Sequence, residues 1–155
     1  MNIETSRCII RNFAMDDAAD LYRTLSDEEV MEHIEPAFDL EQVKAFIEEA
    51  GLCEPPLVYA LVWKESSEVI GHVIFHQYEE DSYEIGWIIR REYWGKGIAG
   101  ELTEVLVENA KGLDDIHSCV IECDPEQEAS KRIALKCGFT YEEEDDGCDV
   151  YRLRF

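Results

Sequence analysis

Apolar residues change their spacing several times along this chain, and each change marks an element. Residues 7–13 alternate as a short strand, and from Asp16 onward Ala18, Ala19, Leu21, Tyr22 and Leu25 recur at helical spacing. After Asp39 a second helix sets Leu40, Val43, Phe46 and Ile47 on one stripe. Glu41, Lys44, Glu48 and Glu49 lie opposite, and Gly51 is the stop. The period then falls to two: strands at 57–63, 69–78 and 83–89, separated by short turns, predict an antiparallel meander. Ile98, Leu102, Val105, Leu106 and Ala110 return to helical spacing, closed by Lys111 and Gly112. A strand at 116–123 follows. Asp124, Pro125 and Gln127 supply an N-cap, a first-turn proline and a capping-box residue, which predict a helix from there to about Cys137. Gly138-Phe139 breaks it, and 140–144 pairs with 150–155 around Asp145-Asp146-Gly147.

Neither a repeat nor a linker interrupts this order, so one domain over residues 1–155 is expected. A chain of 155 residues buries about two-thirds of its unfolded surface, enough for one core. With no apolar run long enough to span a membrane and no basic-then-apolar start, a cytoplasmic location is expected. Six scattered cysteines without a Cys-x-x-Cys pair read as reduced thiols. Cys119, Cys123 and His117 share one strand face but make too sparse a set for a metal, so no metal is expected. His33, His72, His76 and His117 show no nucleophile-base pattern and read as structural. Net charge is −22, which disfavours nucleic acid or an anionic membrane and suits a cationic substrate. Of 14 basic residues, seven (Arg90, Arg91, Lys96, Lys111, Lys131, Arg132 and Lys136) nevertheless fall between 90 and 136.

That window contains Tyr93-Trp94-Gly95-Lys96-Gly97-Ile98-Ala99-Gly100, a glycine-rich loop opening a helix. Glycines let backbone amides approach a ligand, and the first helical N–H groups have no intrahelical partner, so the loop is suited to phosphate. Residues 95–100 satisfy G-x-G-x-x-G, the dinucleotide fingerprint. That fold, however, needs the loop directly after the first strand of a parallel βαβ sheet, whereas here antiparallel strands precede it and about 30 residues follow the next strand.

The whole order, with Trp94-Gly95-Lys96-Gly97-Ile98-Ala99 at its centre, resembles the GNAT acetyltransferase superfamily. Tyr93-Trp94-Gly95-Lys96-Gly97 is similar to the Rim-type, ribosomal-protein N-terminal acetyltransferase branch. So are Thr5-Ser6-Arg7 with Ile9-Ile10-Arg11, Glu84-Ile85-Gly86-Trp87, Ala129-Ser130, and Lys136-Cys137-Gly138-Phe139. Trp94 stands where the superfamily usually has Gln or Arg, and Gln127 where the branch has Asn. The resemblance implies an α+β GNAT fold, a mixed, mostly antiparallel sheet of six to seven strands splayed into a V and flanked by about four helices. It also implies an acetyl-coenzyme A-dependent N-acetyltransferase acting by direct transfer in a ternary complex. A homodimer is among the assemblies it suggests. The alternative is a catalytically inactive acyl-coenzyme A-binding module.

The resemblance assigns the pyrophosphate to the amides of Trp94, Gly95, Lys96, Gly97, Ile98 and Ala99, and the pantetheine to the backbone of Trp87, Ile88 and Ile89. Lys96 and Arg91 would assist the phosphates, and Lys131 or Lys136 the 3′-phosphate. Gln127 either binds the donor or only caps a helix. Acetyl transfer to an amine needs a neutral amine, an oxyanion stabiliser and a proton for the departing thiolate. Glu84 is the candidate base, or else a strand residue facing water. The superfamily's tyrosine acid is replaced by Ala134, which leaves Ser130, or Tyr141, as candidate donor to the sulfur. The acceptor is a primary amine, either a protein N-terminus or a small cationic amine.

Overall fold

A computed structural model describes residues 1–155. Eight strands form one mixed sheet: β1 (Asn2–Glu4), β2 (Cys8–Arg11), β3 (Val58–Trp63), β4 (Val69–Glu79), β5 (Ser82–Ile89), β6 (Ser118–Cys123), β7 (Thr140–Asp145) and β8 (Cys148–Arg154). Their order is β1-β2-β3-β4-β5-β6-β8-β7. Four α-helices accompany them: α1 (Ala18–Leu25), α2 (Leu40–Phe46), α3 (Ile98–Lys111) and α4 (Glu128–Lys136). None is long and apolar enough to cross a membrane. The chain groups into two compact units, Met1–Ile74 with Trp87–Ile98, and Phe75–Gly86 with Ala99–Phe155.

In the first unit, Asp17 fixes the entry to α1. Its carboxylate accepts the Ala14 N–H at 2.8 Å and both ends of the Arg11 guanidinium at 2.8 and 2.9 Å. Asp39 and Gln42 start α2 with a reciprocal capping box, each bond 2.8 Å. The apolar stripes of these helices pack with the sheet: Leu21, Leu25, Val43, Ile47, Val62 and Val69 are buried in one cluster with Phe13. Burying each of these side chains stabilises the unit by about 1.5–3 kcal/mol, before the entropy of ordering them is counted.

Antiparallel pairing runs through β1 to β3 and on to β4, where the register shifts between Leu61 and Val62, opposite Gly71. A methyl group on Gly71 would overlap the Ile88 carbonyl oxygen and lie 3.0 Å from the Ile88 carbonyl carbon. β4 and β5 therefore approach too closely there for any other residue.

In the second unit, Leu102, Leu106 and Ala110 of α3 are buried, as are Val120 and Ile121 of β6. β5 and β6 pair in parallel over only three residue pairs, Ser82–Ser118, Tyr83–Cys119 and Glu84–Val120, and the ladder ends at the last of these. β6 then pairs antiparallel with β8 along its whole length. Buried Arg152 on β8 binds Glu142 at 2.8 and 3.0 Å, Glu79 at 3.1 Å and Ser118 at 2.9 Å. At the end of α4, Phe139 donates its N–H to Ala134 at 2.9 Å and buries its ring beyond Gly138, whose φ is +91°.

Two expectations need correction. The sheet has eight strands, not six or seven. The additional one, β1, is three residues long with only Ile3 facing inward, too short to show a period. The helix expected from Pro125 begins at Glu128. Asp124 Oδ1 accepts the Glu126 N–H and Gln127 Oε1 accepts the Asp124 N–H, so the capping residues build a turn one step ahead of the helix.

Candidate active site

In the first unit the candidate site lies where β5 runs into the glycine loop. Arg90, only 2% exposed, fastens this junction. Its N–H bonds the Ile70 carbonyl at 2.7 Å, and its guanidinium reaches the Val69 carbonyl at 3.0 Å and Glu68 at 3.7 Å. Since the Arg90 N–H and the Ile88 carbonyl both face β4, strand alternation turns the backbone groups of Trp87 and Ile89 to the opposite edge. One of those groups is already engaged, because the Trp94 indole N–H donates to the Ile89 carbonyl at 2.8 Å.

After a short turn at Arg91–Tyr93, with the Tyr93 ring 4.9 Å from that of Trp63, the loop opens outward. Gly95 and Gly97 have φ of +74° and +79°. This is the left-handed region, which costs other residues roughly 1–2 kcal/mol. A Cβ at Gly95 would meet nothing within 4 Å, and one at Gly97 only the Arg7 guanidinium at 3.9 Å. Buried Ile98 anchors the first turn of α3, while Lys96 is exposed and Ala99 half-buried. Arg91 stands otherwise than expected, bound to Asp27 at 2.9 Å and Glu29 at 3.1 Å. Its charge is compensated within the protein. The loop therefore offers a ligand its amides and Lys96, a set matched to an anion.

In the second unit a polar cluster joins three strands. His76 Nε2 on β4 lies 3.0 Å from Glu84 Oε2 on β5, and His76 Nδ1 lies 2.9 Å from the Gln77 carbonyl oxygen. Two residues further on the same face of β4, the Tyr78 hydroxyl donates to Glu122 Oε1 of β6 at 2.7 Å. The Glu84 hydrogen bond raises the His76 pKa above its ordinary value; burial opposes this and the Gln77 carbonyl adds to it. Burial, then Glu122, pushes the Tyr78 phenol well above its usual range.

From the sequence alone His76 reads as structural and Glu84 has no partner. The signal that could have joined them is the β4–β5 hairpin, which returns the chain along itself after one tight turn. The other histidine in β4, His72, is fully buried 4.9 Å from the Phe46 ring, and burial pushes its pKa down to about 4.

Ser130 is half-buried in the first turn of α4, and Tyr141 on β7 is 55% exposed, its ring edge-on to Tyr151 at 5.7 Å. Neither is hydrogen-bonded to Glu84. Gln127 spends its side-chain oxygen on Asp124, and Lys131 lies 3.6 Å from both Glu128 and Asp149. Burial raises the Cys119 and Cys123 thiols to about 12 and about 11, which keeps them protonated near neutrality.

Comparison with known proteins gives the family and the fold. The acetyltransferase (GNAT) domain model matches residues 7–140. The N-acetyltransferase YnaD of Bacillus subtilis (strain 168) is 32% identical over 144 residues, 92% of this chain and 84% of its own. A GNAT-family acetyltransferase from Bacillus anthracis superposes with a TM-score of 0.89 at 25% identity, covering 99% of this chain and 98% of that one. RimL, a ribosomal L7/L12 α-N-protein acetyltransferase solved with coenzyme A, shares the fold. Its TM-score is 0.81 at 17% identity, with 99% and 98% coverage. Domain model, relatives and strand order converge, and the chain belongs to the GNAT family of N-acetyltransferases.

Proposed function

We propose that this enzyme transfers acetyl from acetyl-coenzyme A directly to a primary amine of a cationic acceptor, within one domain over residues 1–155. The observation that carries the donor half is the open loop at Gly95 and Gly97, whose left-handed turns lead into α3 and leave its outer face clear. The RimL neighbour, solved with coenzyme A, supports the same donor. In this reading the amides of residues 95–99 hold the pyrophosphate, with Lys96 beside them, while the Trp94 N–H, expected among them, is instead donated to the Arg91 carbonyl at 3.0 Å. Pantetheine follows the β5 edge formed by Trp87 and Ile89, where an N–H polarises the thioester carbonyl. Ile88 contributes its side chain, its carbonyl being turned to β4. Gln127 can still donate through its amide nitrogen.

Glu84 is the group that takes the proton of the acceptor ammonium. The amine lone pair then attacks the thioester carbon, the C–S bond breaks, and the thiolate receives a proton from Ser130, from Tyr141 or from water, which the second proton leaving the amide nitrogen replaces. A thiol pKa of roughly 8.5 makes the last source sufficient. The net charge of −22 favours a cationic acceptor, whether a protein N-terminal amine or a small polyamine.

The test is release of coenzyme A thiol across a panel of peptides and small amines. Turnover is expected with cationic amines and not with isosteric alcohols. Glu84→Gln should lower kcat by about 100-fold or more, within the usual range for a general base, with the KM for acetyl-coenzyme A unchanged. Donor binding by calorimetry with no thiol release from any amine would reject the catalytic reading.

A further inference from the structure

We propose that His76 is a positioning residue for Glu84: its ring faces one carboxylate oxygen, and whether Nε2 carries a proton decides whether Glu84 can act as a base. The inference rests on Glu84 being the base and adds a residue outside the glycine loop, the pantetheine edge and the thiol-side donors.

The geometry of the ring carries it. The Gln77 carbonyl, 2.9 Å from Nδ1, can only accept, so Nδ1 bears a hydrogen. That leaves Nε2 facing Glu84 Oε2 at 3.0 Å. A neutral ring would aim a lone pair at a carboxylate there. The contact becomes a hydrogen bond only when a proton sits between the two, on Nε2 or on the carboxyl. The charged groups facing the ring are Glu84 of β5 and Glu122 of β6, both of which favour the imidazolium. On β4 itself the neighbour is Tyr78, whose hydroxyl is committed to Glu122. Both side chains of the pair are largely withdrawn from water, 24% and 18% exposed, so the contact is less screened than a surface pair.

With imidazolium bound to it, Glu84 is one half of a neutral pair whose proton already sits at the Nε2–Oε2 contact. With His76 neutral at Nε2, the pair has room for one. An N–H bond of the acceptor ammonium breaks, its electron pair stays on nitrogen, and the proton goes to the free oxygen of Glu84. The carboxyl then turns by half a rotation so that its protonated oxygen faces Nε2, the O–H bond breaks, and Nε2 takes the proton, which restores the carboxylate. After acetyl transfer the imidazolium gives that proton to water, matching the single proton released overall when an ammonium becomes an amide and the thiolate becomes a thiol.

Because the folded His76 pKa lies above 6.5, the competent form is depleted below that raised value and grows as pH rises through it. Turnover should show the same acidic limb.

Two measurements test this on the intact enzyme. NMR titration of the His76 ring is expected to give a midpoint above 6.5 that falls in Glu84→Gln. The kcat profile is expected to lose its acidic limb in His76→Gln, whose amide still donates to Glu84 but does not titrate. kcat at pH 8 should fall about 10-fold, with the KM for acetyl-coenzyme A unchanged. A His76 midpoint that stays put in Glu84→Gln, or a wild-type acidic limb in His76→Gln, overturns the proposal. Wild-type turnover in Glu84→Gln rejects Glu84 as the base and His76 with it. An inactive Glu84→Gln beside an unchanged limb in His76→Gln rejects His76 alone. The NMR arm does not depend on the His76 variant folding.

Discussion

Gly71→Ala is expected to cost more than about 4 kcal/mol, a large part of the 5–15 kcal/mol that holds a typical domain together. The added methyl group would overlap the Ile88 carbonyl oxygen and crowd the Ile88 carbonyl carbon at 3.0 Å and the Ile89 Cα at 3.1 Å. All three are backbone atoms, so no rotamer change relieves the clash; β5 must shift away from β4. The shift cannot be confined to one residue, because Arg90 ties the next position to Ile70 at 2.7 Å. Thermal melting is the measurement. At roughly 2–4 °C per kcal/mol for a chain of this size, the midpoint should fall by about 8–16 °C or the protein should fail to fold. Gly100→Ala, where a Cβ meets nothing within 4 Å, serves as the comparison and should melt close to wild type. A fall of less than about 2 °C in Gly71→Ala would contradict the strand geometry.

The second large effect concerns the donor rather than the fold. Gly97→Val places a β-branched residue at φ +79°, a conformation that costs such side chains more than the usual 1–2 kcal/mol. The space around it is open, the nearest atom of Arg7 lying 3.9 Å away, so the strain is relieved by turning the loop rather than by disrupting the core. A turned loop presents its amides in other directions. The KM for acetyl-coenzyme A should rise about 10- to 100-fold, equivalent to about 1.4–2.8 kcal/mol, while kcat and the melting midpoint change little. An unchanged KM would remove the loop from donor binding.

These two glycines also mark what the chain discloses in one dimension and what it does not. Gly97 was readable, because a left-handed turn before a helix narrows the choice of residue to glycine and so writes itself into the sequence. Helix α3 was readable to the residue, from Ile98 to Lys111, because a buried stripe recurs at helical spacing and a cation and a glycine close it. Gly71 was not: its requirement comes from Ile88, seventeen positions away. The same holds for His76 and Glu84, which alternation places on strands but only strand pairing places together. Arg91 looked like a phosphate ligand because it neighbours the loop, yet its partners Asp27 and Glu29 come from a distant segment. Trp94 was visible as a departure from the family's pattern, although its bond to Ile89 depends on a turn that no local rule specifies.

That bond bears on how a donor paired with the strand, as proposed, would be measured out along it. The edge of a strand is repetitive, and a ligand that pairs with it can slip by two residues and find equivalent groups again. By occupying the Ile89 carbonyl, the Trp94 indole makes the second position unlike the first. In the proposed binding mode the strand end would act as a ruler with one graduation, setting how far a flexible thioester arm, its phosphates on the same loop, would extend before delivering its acetyl group.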